Sequence, residues 1–267
     1  MNKESRLQEA YLSRLEKQRR KIMAARILLA LAFFLLWETA ADKSWIDSFF
    51  FSSPSRLARL FLSMWRDGSL FLHVGITLTE TLVSFALVVF IGLAVSLLLW
   101  LSDSVFQVLE PYLVILNSLP KSALAPLLIV WLGANQRTII VAGISVAIFG
   151  TILNLYTGFT ETSREKIRLI YTLHGTKKDA LIKVVLPSTV PMIISIMKVN
   201  IGLCLVGVVI GEFIGARNGL GYLIIYGSQV FQLDLVILSI LILCLMAMLL
   251  YGGVTAAEKF YHRRQHV

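Results

Sequence analysis

The chain is 267 residues long, with 57% hydrophobic and only 15% charged residues, a mean hydropathy of +0.77 and a formal charge of +9. That balance excludes an ordinary water-soluble domain, and the length leaves room for several membrane crossings but not for a large soluble domain as well. The two cysteines, Cys204 and Cys244, lie deep in apolar runs and read as small packing residues, not as a disulfide or a metal pair.

The polar stretch before the first apolar run mixes charge with Leu, Tyr, Ile and Met from Leu7 to Ala25, as an amphipathic cytoplasmic helix does. Six apolar segments follow, Ile27–Ala41, Val83–Leu101, Val108–Leu132, Thr138–Phe159, Pro191–Phe213 and Leu235–Gly253. Each is near spanning length, and together they predict an all-α membrane protein. The polar lead-in and the lack of an A-x-A-like site make the first segment an anchor and not a cleavable signal.

Lys and Arg cluster before the first segment, between Arg164 and Lys183, and at the C-terminal end. The intervening pieces hold only Lys43, Arg56, Arg59, Arg66, Arg137 and Arg217. Basic loops resist translocation, so the reading is six crossings with both termini in the cytoplasm of a bacterial inner membrane. Residues 1–26 form a cytoplasmic basic helix, 27–256 the membrane domain and 257–267 a cytoplasmic tail. Anionic lipid headgroups account for the positive charge, and nucleic acid is not needed. On the outer side, Ser53 as N-cap and Pro54 at the first helical position begin a helix whose Leu57, Leu60, Phe61, Met64 and Trp65 share a face.

The third segment contains Pro120 and Pro126, with Lys121 near its middle. Pro120 cannot donate to the carbonyl of Leu116, nor Pro126 to that of Ser122, so this span kinks or exposes acceptors. Asn117, Ser118 and Lys121 make a polar stripe that lipid would penalise. Two readings of Lys121 stand open: a pathway or gate lysine, or one paired with a carboxylate or with the freed carbonyls. In the fifth segment Gly207, Gly211 and Gly215 recur every fourth residue and allow close helix packing. Asn200 falls on the glycine side, Lys198 and Glu212 opposite; Lys198 can snorkel, and Glu212 is either a pathway carboxylate or an interfacial one.

The cytoplasmic loop Thr160–Ser188 holds Ile167, Leu169, Ile170, Leu173, Leu181, Ile182, Val184 and Val185 among its charges, more apolar content than a connector needs. It predicts two short amphipathic helices broken at His174-Gly175, with Gly175 in the left-handed conformation. Such an elbow can seat in a groove of a soluble partner and pass its motion to the spans. His73, His174, His262 and His266 are scattered and placed outside the spans, and no Ser/Lys, paired-Asp or His-cluster arrangement suggests an intramembrane enzyme.

From Trp37 onward the chain resembles the permeases of binding-protein-dependent ATP-binding-cassette importers, in the nitrate, sulfonate and taurine branch. The resemblance rests on Trp37-Glu38, on Ser53-Pro54-Ser55 and on Pro120-Lys121-Ser122-Ala123-Leu124-Ala125-Pro126-Leu127 with Trp131-Leu132-Gly133. It continues through Gly175, Val184-Val185-Leu186-Pro187, Gly211-Glu212-Phe213-Ile214-Gly215 and Gly219-Leu220-Gly221-Tyr222-Leu223-Ile224. Leu169, Ile170 and Tyr171 stand where the family has Glu-Ala-Ala, and the stretch from Gly175 to Pro187 is one residue shorter than usual.

The resemblance implies a six-helix type I importer permease fold whose cytoplasmic loop couples to an ATPase through Tyr171, Leu173, His174, Gly175, Thr176, Lys177, Leu186 and Pro187. Pathway or gate roles then fall to Asn117, Ser118, Pro120, Lys121, Pro126 and Glu212. The chain has no G-x-x-x-x-G-K-[ST] loop, so ATP belongs to a partner subunit and no cofactor is expected here. The implied partners are ATPase subunits, a second permease subunit taken as an identical copy, an external solute-binding protein and membrane lipid; the implied solute is a small anion such as nitrate, a sulfonate or taurine. A secondary transporter or channel working without ATP is the alternative, and it would favour inverted repeats, of which none is clear.

Overall fold

The computed structural model describes residues 3–265, with side chains described from Lys17 to Lys259. The side chains of Leu7 to Glu16, on which much of the amphipathic expectation rests, and those of His262 and His266 lie outside the described residues. The described residues are helical, with no strand, and group into two compact units that divide between Ser63 and Met64.

The first unit contains α1 (Lys3–Asp42), α2 (Ser48–Phe51) and the start of α3 (Pro54–Arg66). α1 is one unbroken helix through the basic lead-in and the first apolar segment. Its end is tied to the following turn by the Trp37 indole, which donates to the carbonyl of Phe51 at 3.3 Å, and by Glu38, which accepts the Ser55 amide at 3.0 Å. α3 begins as its sequence predicts, with Pro54 first and the Ser53 hydroxyl accepting the Arg56 amide.

The second unit comprises α4 (Ser69–Leu101), α5 (Asp103–Ser118), α6 (Lys121–Leu132), α7 (Gln136–Thr160), α8 (Arg164–Thr172), α9 (Lys177–Ala180), α10 (Leu186–Gly215), α11 (Leu220–Gln229) and α12 (Leu233–Gln265). Five described helices are long and apolar enough to cross a membrane: Lys17–Asp42 of α1, α4, α7, Lys177–Gly215 and Leu233–Lys259 of α12. The third apolar segment is not one kinked span. It breaks into α5 and α6, bent by 96° at Leu119 and Pro120, and supplies a sixth crossing only if the pair is counted as one. The break has a local cause: Leu119 precedes a proline and both residues adopt extended backbone.

α7 is the central helix, packed along α10 on one side and α4 on the other. Val88, Ala147 and Cys204 bring the three helices together at mid-length. A stripe of small residues lets α7 and α10 approach closely: a methyl group on Gly207 would stand 2.8 Å from the Gly143 Cα and 2.9 Å from the Ala142 carbonyl oxygen. Gly211 meets Ile139 in the same way, while Gly215 faces the Ile129 side chain of α6.

Candidate functional site

At the Leu119 and Pro120 break, the Lys121 ammonium reaches back to the Leu116 carbonyl at 2.5 Å and lies 5.3 Å from the Phe149 ring centre. That carbonyl is the acceptor Pro120 cannot serve, so the lysine fills a gap made by its own neighbour. Asn117 approaches α7, where a methyl on Gly150 would lie 3.2 Å from its side-chain oxygen, and Ser118 donates to the Val114 carbonyl at 2.8 Å. Pro126 lies inside α6 and removes a second donor. The structure therefore brings Asn117, Ser118, Pro120 and Lys121 to one corner, with α5 carrying no buried residue on any face.

The loop after α7 is built as a rigid elbow. α8 ends with the Gly175 amide bonded to the Ile170 carbonyl at 2.9 Å and the His174 amide to that of Tyr171 at 3.0 Å. The left-handed residue is His174, at φ 60°, and not Gly175 as expected. Gly175 is needed for proximity, since a methyl there would stand 2.9 Å from the Ile170 carbonyl oxygen. Thr176 and Asp179 then form a reciprocal capping box that starts α9. A π-helical turn, Leu181–Val185, joins α9 to α10, where Pro187 supplies no amide.

One side of this elbow is welded to the bundle. Trp100, Leu155, Phe159, Ala180, Leu181 and Val185 form a buried cluster, with Ile167 and Ile170 packed against it. Lys177 adds an ion pair to Asp103 at 3.6 Å and sits 5.4 Å from the Trp100 ring centre. The other side is bare: Leu169, Tyr171, Leu173 and Ile182 are 59%, 46%, 71% and 63% exposed. Of the remaining coupling candidates, Thr176 and Pro187 are exposed while Gly175, Lys177 and Leu186 are half-buried.

Glu212, which the sequence leaves open between a pathway and an interfacial carboxylate, is buried within the bundle. It is 1% exposed at the far end of the bundle from the elbow. Its carboxylate accepts the Thr77 hydroxyl and the Gly221 amide, each at 2.6 Å, and is hydrogen-bonded to the Glu80 carboxyl. Thr77 in turn accepts the Leu220 amide at 2.8 Å, and His73 Nδ1 accepts the Gly219 amide at 3.0 Å. The turn from α10 to α11 is thus pinned to α4 through its backbone amides. Gly219 has φ +118° and lies so close to Glu212 that a methyl would overlap it, at 2.3 Å from the carboxylate.

His73, Thr77 and Glu80 escaped the sequence reading, which starts the second span at Val83 and places His73 outside. The available signal was the carboxylate of Glu80, set between Thr79 and Thr81 immediately before an apolar run. Lys198, expected to snorkel, instead forms an ion pair with Glu258 that ties α10 to α12. Cys204 is buried and Cys244 exposed, both free, and no cluster of potential metal ligands occurs among the described residues.

The profile of the family described as "Binding-protein-dependent transport system inner membrane component" matches residues 88–265. A probable ABC transporter permease protein of Haemophilus influenzae is 29% identical over 85% of this chain and 92% of its own length. The formylaminopyrimidine transport permease protein ThiX of Halalkalibacterium halodurans is 27% identical over 73% and 77% of the two chains. The taurine transport system permease protein TauC of Escherichia coli is 25% identical over 84% and 83%. Among solved structures, an inward-facing form of the MetNI methionine ABC transporter superposes with a TM-score of 0.60 at 19% identity, covering 70% of this chain and 93% of that one. An amino acid ABC transporter gives a TM-score of 0.55 at 18% identity over 76% and 98%. Both structural likenesses concern the fold.

Proposed function

This chain belongs to the family of binding-protein-dependent transport system inner membrane components, as an importer permease of the nitrate, sulfonate and taurine type, and we propose that it lines the pathway of a small anionic solute and is driven by a separate ATPase. The observation that carries the coupling is the two-sided elbow of residues 161–185. Its inner side is fused to Trp100 of α4 and Phe159 of α7, while Leu169, Tyr171, Leu173 and Ile182 project bare. An apolar knob of this kind is stable in water only when a partner covers it, and a partner that moves it moves α4 and α7 with it.

In this reading the elbow and both termini face the cytoplasm, two identical permease subunits assemble with two ATPase subunits, and an external binding protein delivers the solute. Tyr171, Leu173, His174, Gly175, Thr176, Lys177, Leu186 and Pro187 transmit the ATPase stroke. The broken corner at Asn117, Ser118, Pro120 and Lys121, with Pro126 beyond it, serves as the gate, because exposed carbonyls and polar side chains at that depth are tolerated only beside protein or a watered cavity. Glu212 holds the outer end of α10 against α4. Sulfonate and nitrate relatives support a small anion as solute.

Affinity capture of the protein in mild detergent tests the assembly. A P-loop ATPase co-purifying with the wild type and lost from a Leu169→Glu, Leu173→Glu variant is expected. Recovery of the same ATPase with both chains contradicts docking through Leu169 and Leu173, and recovery with neither contradicts the coupling and favours transport without ATP.

A further inference from the structure

α5 runs along the elbow-side half of α7. Its first residue, Asp103, pairs with Lys177 of the elbow at 3.6 Å, and the Phe106 ring stacks on Tyr156 at 3.5 Å between centres. Further along, Leu113 packs on the cluster of Leu99, Ile148 and Ile152, and Asn117 comes up against Gly150. Gly150 and Tyr156 both lie inside α7, one of the helices long and apolar enough to cross a membrane. The stretch of α5 between these two contacts therefore sits at membrane depth, and Glu110 is in that stretch.

At about 100° per residue, the side chains of α5 sort into three arcs. Phe106 and Leu113 form the arc that packs against the bundle. Val105, Val108, Leu109, Tyr112, Ile115 and Leu116 form an exposed apolar arc. The third arc, about 100° wide, holds Asp103, Gln107, Glu110, Asn117 and Ser118, with Val114 its one apolar member. All of these residues are exposed, and Gln107 and Glu110 make no hydrogen bond or ion pair among the described residues. Hydrocarbon suits the apolar arc, but not a face that carries a bare carboxylate and carboxamides along the length of the helix. The charges on that face are both negative, and α5 has no Lys or Arg.

We propose that the polar arc of α5 is a water-facing wall of the solute pathway between the broken corner and the elbow, with Gln107 and Glu110 as pathway residues and Glu110 setting the charge of the wall. The proposal rests on the importer reading and deepens it. Asn117 and Ser118 at the corner are then one end of a continuous face whose other end, Asp103, touches the elbow. An anion that has passed the corner meets a negative wall, which shortens its stay there and speeds its departure on the elbow side.

The test uses the permease assembled with its ATPase in lipid nanodiscs, in a background with Cys204→Ala and Cys244→Ala. It measures the reaction of single thiols with two membrane-impermeant methanethiosulfonates, one carrying a trimethylammonium group and the other a sulfonate. Gln107→Cys and Val114→Cys put a thiol on the polar arc, while Val108→Cys and Ile115→Cys put one on the apolar arc at matching depths. A thiol facing hydrocarbon stays un-ionised and out of reach, so the polar-arc thiols are expected to react at least about tenfold faster, in the nucleotide-free state or with ATP. In Val114→Cys the cationic reagent is expected to react at least about threefold faster than the anionic one, relative to their ratio on a small free thiol. Adding Glu110→Gln is expected to remove most of that preference. Equal rates on the two arcs, unreactive thiols on the polar arc, or a reagent preference that Glu110→Gln leaves unchanged overturns the wall. ATP on the same discs judges the importer reading separately: arc-selective labelling that ATP does not alter supports the wall and contradicts the coupling, and labelling that follows ATP but not the arc does the reverse.

Discussion

The Nζ of Lys121 donates to the carbonyl oxygen of Leu116 at 2.5 Å, in the place of the amide that Pro120 does not have. The proline that breaks the helix and the lysine that repairs its open acceptor are consecutive in sequence. Replacing Lys121 by Met keeps the length and removes the donor, so the carbonyl is left open at a cost of about 1–3 kcal/mol. Thermal inactivation in nanodiscs is expected at a lower temperature for Lys121→Met, with Lys121→Arg close to the wild type. Equal loss in both variants places the importance of this position elsewhere.

Thr77 holds two elements at once, donating to Glu212 and accepting from the Leu220 amide. Thr77→Val removes both bonds with little change in shape. Amide hydrogen exchange at 219–221 is expected to quicken in Thr77→Val while exchange in the middle of α7 stays as it was. Unchanged exchange at Leu220 contradicts the pinning of this turn.

Gly207 and Gly202 lie on the same helix in opposite circumstances. A methyl on Gly207 meets the backbone of α7, whereas one on Gly202 meets nothing within 4 Å. Gly207→Ala is expected to destabilise the permease by about 1–3 kcal/mol through forced separation of α7 and α10, and Gly202→Ala to be neutral or mildly stabilising. Denaturation of both variants in the same detergent decides it; equal effects would sink the close-packing account.

Lys198 and Glu258 form the ion pair between α10 and α12, both mostly shielded. Lys198→Glu leaves two carboxylates facing one another, and Glu258→Lys leaves two ammonium groups. Each single reversal is expected to lower thermal stability, and the double reversal to recover most of the loss. A double variant no better than the worse single one shows that the pair is not formed in the membrane.

The spans, the elbow and the site of the break were legible because each depends on residues close in sequence. Apolar length gave the crossings, Pro120 gave the break and the apolar content of 167–185 gave the two-sided loop. The sharp bend was not legible, since whether a proline kinks a span or ends it depends on what receives the freed carbonyl. The acid network was hidden for another reason. Residues 69–82 contain Ser69, His73, Thr77, Thr79, Glu80 and Thr81, which depress hydropathy. The hydroxyls of Thr79 and Thr81 donate to the carbonyls of Gly75 and Thr77, four residues back on the same helix, while His73 and Thr77 bond the turn after α10 and Thr77 also donates to Glu212. That polarity is consumed partly within the helix and partly against α10 and the turn after it, so a stretch that reads as a connector is a buried end of α4. Its partners Glu212, Gly219 and Leu220 lie more than half the chain away and no spacing reveals them.

The central claim is that the elbow transmits ATP-driven motion to the spans, and solute-stimulated ATP hydrolysis by the reconstituted permease, ATPase and binding protein tests it most directly. Phe159→Ala leaves the exposed side chains Leu169, Tyr171 and Leu173 in place but loosens the inner side of the elbow from α7. The account predicts that this variant still binds the ATPase and hydrolyses ATP at its basal rate, while solute stimulation falls at least about tenfold. Full solute stimulation in Phe159→Ala with the ATPase bound contradicts it.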